Sequence, residues 1–198
     1  AERIVYFYEQ GGPFMPVLVV EALLLWYALG YRMITLRRGS IKPVRTLVGF
    51  YASDATRDRR RPRGIVDGAV AEGIETARRV SDNLRRHLDV ALAGREREIG
   101  RFSVLADAIV VIAPLTGLLG TVSGMIETFD SLADMALFSQ SGGIAGGISE
   151  ALFTTQMGLA VAIPGLLVGR MLKRRQASLQ QELELVKDTL CAGAKVAS

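Results

Sequence analysis

The chain has 198 residues, a formal net charge of +4 and 49% hydrophobic residues, with a mean hydropathy of +0.28. The apolar residues gather in three blocks with the charge between and after them, a distribution that argues against an ordinary soluble enzyme. The single cysteine, Cys191, excludes an intramolecular disulfide framework, and a modest positive charge beside apolar blocks reads as a topology signal, with no nucleic-acid binding expected.

The first apolar run extends from Gln10 to Tyr31 and carries one charge, Glu21. A bilayer core needs about 20 helical residues, so this run is long enough to cross. No basic region precedes it and it is too long for a signal core. The chain starts at Ala1, consistent with a processed or trimmed terminus, and an export signal cleaved from a longer precursor stays open. A lone acid midway through a span costs roughly 2–3 kcal/mol on insertion scales, so Glu21 is expected to face protein, either paired with a partner chain or protonated.

From Arg37 to Arg63 the chain is rich in arginine, with turns expected at Gly39–Pro43 and around Arg57–Gly64. From Val66 onward, apolar or small residues recur at 66, 70, 74, 77, 80, 84, 88 and 91, a helical stripe. The opposite face holds Glu72, Glu75, Arg78, Arg79, Asp82, Arg85 and Arg86, with Glu75–Arg79 and Arg78–Asp82 four apart. The helix is expected to run on through Glu96 and Ile99 into the second apolar block, weakened at Gly94 and Gly100. His87, the only histidine, is expected to be solvated beside Arg86. No metal ligands cluster with it.

The second run, Ala108–Ile126, and the third, Ala151–Gly169, carry no charge. Basic residues lie at 37–63 and again at Arg170, Lys173, Arg174 and Arg175, whereas Glu127–Glu150 has no Lys or Arg. The positive-inside rule then puts the N-terminus outside and the basic segments in the cytoplasm. The expected organisation is an outer N-terminus at 1–12, spans at 13–36, 104–129 and 147–171, a cytoplasmic helical domain at 37–103, an outer loop at 130–146 and a cytoplasmic C-terminal helix at 172–198. The fold class is thus an all-α integral membrane protein of three transmembrane helices, with long helices extending into the cytoplasm.

Gly117, Gly120 and Gly124 form a small-residue face in the second run, and Gly165 and Gly169 repeat the spacing in the third. Gly142, Gly143, Gly146 and Gly147 precede the third run. Helices in lipid associate where small residues let backbones approach, and so many glycines on three helices point to an oligomer. Pro114 and Pro164 are expected to kink their helices, with the freed carbonyls satisfied by neighbours or water. Asp107 lies near the inner end of the second run, where it is able to reach water.

The segment A-P-L-T-G-L-L-G-T-V-S-G-M-I-E-T-F, Ala113–Phe129, resembles the second membrane helix of the ExbB/TolQ/MotA proton-channel family. G-G-I-S-E-A-L-F-T-T-Q-M-G-L-A-V-A-I-P, Gly146–Pro164, resembles the third. The motifs cover about a third of the chain, in the family's order, and three crossings resemble the ExbB and TolQ branches, with ExbB the nearer.

The resemblance implies a homo-oligomeric, pentameric ring in the bacterial inner membrane around helices of an ExbD- or TolR-type partner that carries a membrane aspartate. Proton flow would turn those helices and, in the ExbB branch, energise a TonB-type transducer for outer-membrane nutrient import. The implied ion pathway is Thr121, Thr155 and Glu150, with Asp107 at its inner end. Thr154 points elsewhere. No cofactor, metal or enzymatic activity is implied. The competing readings are a TolQ-type subunit for envelope integrity and a helical scaffold that conducts nothing. A solute transporter is disfavoured, because three helices contain no inverted repeat.

Overall fold

A computed structural model describes residues 12–39, 43–52, 64–80, 83–135 and 143–197. Every regular element among them is helical: a 3₁₀ turn at Gly12–Phe14, then α1 (Met15–Thr35), α2 (Val44–Ala52), α3 (Ile65–Arg79), α4 (Leu84–Gly100), α5 (Ser103–Met135) and α6 (Gly143–Ala197). Three of the helical stretches are long and apolar enough to cross a membrane. The chain divides into two units, one of Ala1–Leu29 with Val104–Gly169 and one of Gly30–Ser103 with Arg170–Ser198.

The first unit holds the apolar parts of α1, α5 and α6. Its interior is built from Leu18, Leu25, Ala28, Ile109, Ala113 and Ala151. Large side chains such as Leu23, Val111, Leu115, Leu152 and Leu167 lie exposed on its outside, the distribution of helices that meet lipid or other apolar helices. Pro114 and Pro164 sit inside helices that continue on both sides of them. α5 runs on to Met135, into the stretch expected as outer loop.

The second unit has a leucine core. Leu84, Leu88 and Leu92 of α4 are buried, as are Leu172, Leu179, Leu183, Val186 and Leu190 of α6, whose spacing keeps one stripe inward. Gly73 of α3 lets the helices close up, because a Cβ there would stand 2.6 Å from Leu190 Cδ1 and 3.5 Å from Leu88 Cδ2. Polar groups clamp the rim. Lys187, with a side chain only 4% exposed, bonds Asp89 at 2.8 Å, Glu96 at 2.7 Å and Glu184 at 3.0 Å. Arg85 bonds Glu184 at 2.5 Å and also Asp188. The expected Glu75–Arg79 pair is present. The Arg78–Asp82 pair, the turn residues 40–42 and the run 57–63 involve positions outside the described residues, as does Gly142.

The single long cytoplasmic helix expected from the apolar stripe is instead three helices. α3 ends at Val80, which is extended at φ −133° and ψ 122°. α4 begins after Asn83, which is left-handed at φ 51°. Resetting the chain here rephases the stripe. Val66 and Val70 are buried before the break and Leu84, Leu88 and Leu92 after it, whereas Ala91, expected in the stripe, is only half-buried. The helix does not continue into α5 either. Phe102 takes φ 60°, and its ring meets Tyr31 edge-on at 5.1 Å. The Arg101 guanidinium lies 5.4 Å from the Tyr31 ring centre, and Ser103 Oγ donates to the Gly100 carbonyl at 2.8 Å. An aromatic that contributes packing and a cation–π contact can hold a left-handed residue that would otherwise be strained. His87 is exposed, as expected, with Nδ1 3.2 Å from the Asn83 carbonyl oxygen.

Candidate functional site

The candidate site lies in the first unit, where α5 and α6 cross with their backbones touching. A Cβ on Gly117 would stand 2.9 Å from the Thr154 carbonyl oxygen and 3.1 Å from Thr155 Cα. One on Gly124 would stand 2.7 Å from the Gly147 carbonyl oxygen and 2.9 Å from the Ala151 nitrogen. The fit is reciprocal: a Cβ on Gly158 would meet the Ala113 carbonyl oxygen at 2.6 Å and Gly117 Cα at 3.2 Å. Between these, Gly120 faces the Thr154 side chain. Side chains at 117, 120 and 124 share one helix face, and so do 147, 151, 154 and 158. Two glycine-lined faces therefore seat one helix on the other over several turns.

This alters the reading of the glycines. Gly117, Gly120 and Gly124 are used within the chain, so these three do not by themselves provide a free face for an oligomer. Gly165 is also internal, with Leu25 Cδ2 and Val110 Cγ2 within 3.0 Å of where its Cβ would stand. Gly169 has nothing within 4 Å of that position.

The threonines are arranged around this seam. Thr121 is half-buried and its hydroxyl donates to the Leu118 carbonyl at 2.6 Å. Thr155, also half-buried, lies 3.3 Å from the Gly117 carbonyl oxygen on the facing helix and 3.3 Å from the Ala151 carbonyl oxygen on its own. One hydroxyl has one hydrogen, so Thr155 serves one carbonyl at a time. Each threonine keeps acceptor lone pairs that a protonated carboxyl could use, and each can swing its hydrogen to a carboxylate. Thr154 is fully buried against Gly120 and bonds back to Glu150 and Ala151 carbonyls at 3.1 Å. Its adjacent threonine is thus the half-buried one, and Thr154 is a packing residue.

The two acids expected in the ion pathway, Glu150 and Asp107, lie elsewhere in the unit. Glu150 is half-buried beside Glu127, and its carboxylate fills the space that a Cβ on Gly12 would need. Gly12 has φ +55°, so that position suits glycine on both counts. Asp107 is half-buried near the start of α5 and already engaged in a polar interaction. None of the hydrogen bonds described for Thr121 and Thr155 joins either threonine to these acids or to the other threonine.

Glu21 has a partner that sequence reasoning missed. Thr116 Oγ1 donates to Glu21 Oε1 at 2.9 Å, tying α1 to α5. The second oxygen, Oε2, is buried and has no hydrogen-bond partner among the described residues. The signal was available, since a lone acid in an apolar run needs a polar neighbour and Thr116 is one of few in the facing run. Metal-ligating residue types form no cluster among the described residues.

The profile of the MotA/TolQ/ExbB proton channel family matches residues 62–185. A Synechocystis protein named ExbB-like 3 is 45% identical over 86 residues, which are 41% of this chain and 41% of that protein. The Helicobacter pylori protein named ExbB-like 1 is 28% identical over 195 residues, 96% of this chain and 97% of its own. The biopolymer transport protein ExbB of Salmonella typhimurium is 29% identical over 114 residues, 58% of this chain and 46% of that one. The chain therefore spans less than half the length of the Synechocystis and Salmonella relatives. With well over half of its residues matched by the profile, and relatives that carry ExbB names, the chain belongs to the MotA/TolQ/ExbB proton channel family.

Proposed function

We propose that this chain is the ring-forming subunit of a proton-driven motor of the ExbB type in the inner membrane. Its N-terminus is periplasmic, and residues 37–103 and 172–198 are cytoplasmic. About five copies enclose the membrane helices of an ExbD-type partner, and the partner's aspartate carries the proton. The output is mechanical work on a TonB-type transducer.

The observation that carries this reading is the pair Thr121 and Thr155 on two helices locked together by glycine. Both are half-buried and their described hydrogen bonds go to backbone carbonyls, which leaves each hydroxyl's acceptor lone pairs available. A charge in hydrocarbon is costly without polar neighbours. Hydroxyls that donate or accept on demand suit a carboxyl in either protonation state. One proton crossing 100 mV supplies about 2.3 kcal/mol, so several protons suffice to rotate packed helices. The internal use of Gly117, Gly120 and Gly124 counts against a scaffold whose glycines serve only to recruit partners. A TolQ-type role shares this geometry, and the ExbB names of the relatives favour the ExbB branch.

The test is proton uptake into vesicles that contain the chain with its partner. Thr121→Ala and Thr155→Ala are expected to lower it at least about tenfold while the mass of the detergent-extracted complex stays unchanged, since each removes a bond of about 1.4 kcal/mol from the proton's path. Unchanged uptake in both variants would sink the proposed pathway. A TonB-like neighbour gene supports the ExbB role, and TolA-, TolB- and Pal-like neighbours the TolQ role.

A further inference from the structure

The second unit contains an open cleft of about 730 Å³ whose walls come from the segment after α1, the start of α3 and the middle of α6. Three guanidinium groups line it, from Arg37, Arg38 and Arg175, against one carboxylate, Glu182. Arg38 is already committed, its Nε lying 2.9 and 2.6 Å from the two Glu182 oxygens. Arg37 and Arg175 are exposed and form no ion pair among the described residues. The cleft therefore carries an excess of two positive charges, both on groups built to grip an oxyanion.

The backbone holds this arrangement. Gly39 has φ +98° and Gly64 φ +108°. A Cβ on Gly64 would stand 2.5 Å from the Gly39 nitrogen and 2.7 Å from the Arg37 carbonyl oxygen, so the two strands of chain cross where only glycine fits. The first N–H groups of α3 donate across the crossing, Ile65 to the Arg37 carbonyl at 3.1 Å and Val66 to the Arg38 carbonyl at 3.3 Å. Both arginine backbones are thereby pinned. Leu36 and Leu179 form an apolar floor, and Ser178 adds an exposed hydroxyl.

Position along the chain narrows the ligand. Arg37 follows the end of the first apolar helix by two residues. Arg175 lies about 9 Å along α6 from Gly169, where the third apolar run ends. Guanidinium forks match phosphate oxygens two at a time, and basic pockets beside membrane helices on the cytoplasmic side suit anionic headgroups. The volume is in the range of small-ligand sites.

We propose that this cleft is a phosphate site, gripped by Arg37 and Arg175, that takes the headgroup of an anionic phospholipid or a soluble phosphomonoester. It is separate from the ion pathway, and its failure would leave the channel reading untouched.

The test uses the full chain, delipidated in mild detergent and followed by native mass spectrometry. One arm titrates phosphatidylglycerol against zwitterionic phosphatidylcholine, and the other titrates glycerol 3-phosphate. The wild-type chain is expected to prefer phosphatidylglycerol at least about tenfold, and R37A/R175A to lose most of that preference, because a charge-assisted contact is on the order of a tenfold effect. Saturation by the lipid alone identifies a headgroup site, and competition by glycerol 3-phosphate identifies a soluble ligand. If the double variant does not fold, Ser178→Glu decides, since it puts a carboxylate at the cleft without removing either arginine and should weaken binding comparably. Binding unchanged in these variants, or no saturable binding of either ligand, overturns the proposal.

Discussion

The two units cohere by opposite means. In the apolar unit Leu18 and Leu25 of α1 are inside, but many leucines, such as Leu115, Leu152 and Leu167, point outward, and α5 and α6 meet through glycine, alanine and threonine, as at Gly117, Gly124 and Gly158 against the facing backbone. In the charged unit the leucines are inside, Leu88, Leu92 and Leu183 among them, and Lys187 and Arg85 clamp the rim with carboxylates. Solvent explains the inversion. In water, burying a leucine gains roughly 25 cal/mol for each Å² of apolar surface. In lipid that gain vanishes, so close backbone packing must supply cohesion instead. The same residue types carry different information in the two units.

The sharpest way to break this contrast is to enlarge a glycine in each unit. Gly158→Val forces three carbon atoms into a backbone crossing and should cost about 3 kcal/mol, the upper end of overpacking. It would appear as a lowered melting temperature of the detergent-extracted chain. Gly94 lies exposed in mid-helix with nothing near its Cβ position, so Gly94→Ala should stabilise by about 0.5–1 kcal/mol. Equal tolerance at both positions would mean that the seam is not held by backbone approach.

Lys187→Met probes the other mode of cohesion. It leaves Asp89, Glu96 and Glu184 facing an uncharged side chain. Because those acids are partly exposed, the expected loss is about 2 kcal/mol, below that of a fully buried pair. Urea unfolding followed by helical signal would measure it, and a variant as stable as wild type would remove the clamp from the account.

The clamp also predicts a pH window. Burial alone would lower the Lys187 pKa, but the hydrogen bonds that Lys187 donates to Asp89, Glu96 and Glu184 outweigh it and hold the ammonium above the ordinary lysine range. The hydrogen bond from Lys187 holds the Asp89 carboxyl below the ordinary carboxylate range. The lysine's contribution is present below its unfolded pKa of about 10 and is lost as pH rises through the higher folded value. The aspartate's contribution is present above its unfolded pKa of about 4 and is lost as pH falls through the lower folded value. Stability of the charged unit should thus be flat between those limits and fall outside both. In Lys187→Met the acid-side fall should shrink.

The smallest effect is expected at the bond between α1 and α5. Thr116→Val removes the hydroxyl that donates to Glu21 and should cost about 0.6 kcal/mol, typical of hydrogen bonds between membrane helices. Melting of the variant beside Glu21→Gln, which keeps an acceptor for Thr116, checks whether the bond or the charge matters. A loss in Glu21→Gln as large as in Thr116→Val would assign the effect to the carboxylate.

Much of this was legible in the residues. The three apolar runs and the ion pair Glu75–Arg79 follow from length, composition and spacing, which are local. The motif around Thr121 and Thr155 marked the family that the profile match then supplied. Other features were not legible. The breaks at Val80–Asn83 and Arg101–Phe102 depend on left-handed residues held by neighbours such as Tyr31, and periodicity counts straight through a break of that kind. The partner of Glu21 required knowing which face of α5 meets α1.

The sequence alone determined that the chain is helical, that three stretches suit a bilayer and that basic residues flank them, because each property depends on neighbours within a turn or two. Tertiary structure decided which glycines are consumed. Gly117, Gly120 and Gly124 read as free association surface until Gly147, Thr154 and Gly158 are found against them. It also gathered Arg37 and Arg175, 138 positions apart in the chain, into one cleft. The physical reason is the same in both cases: spacing states which side chains share a face, and only packing states what that face meets.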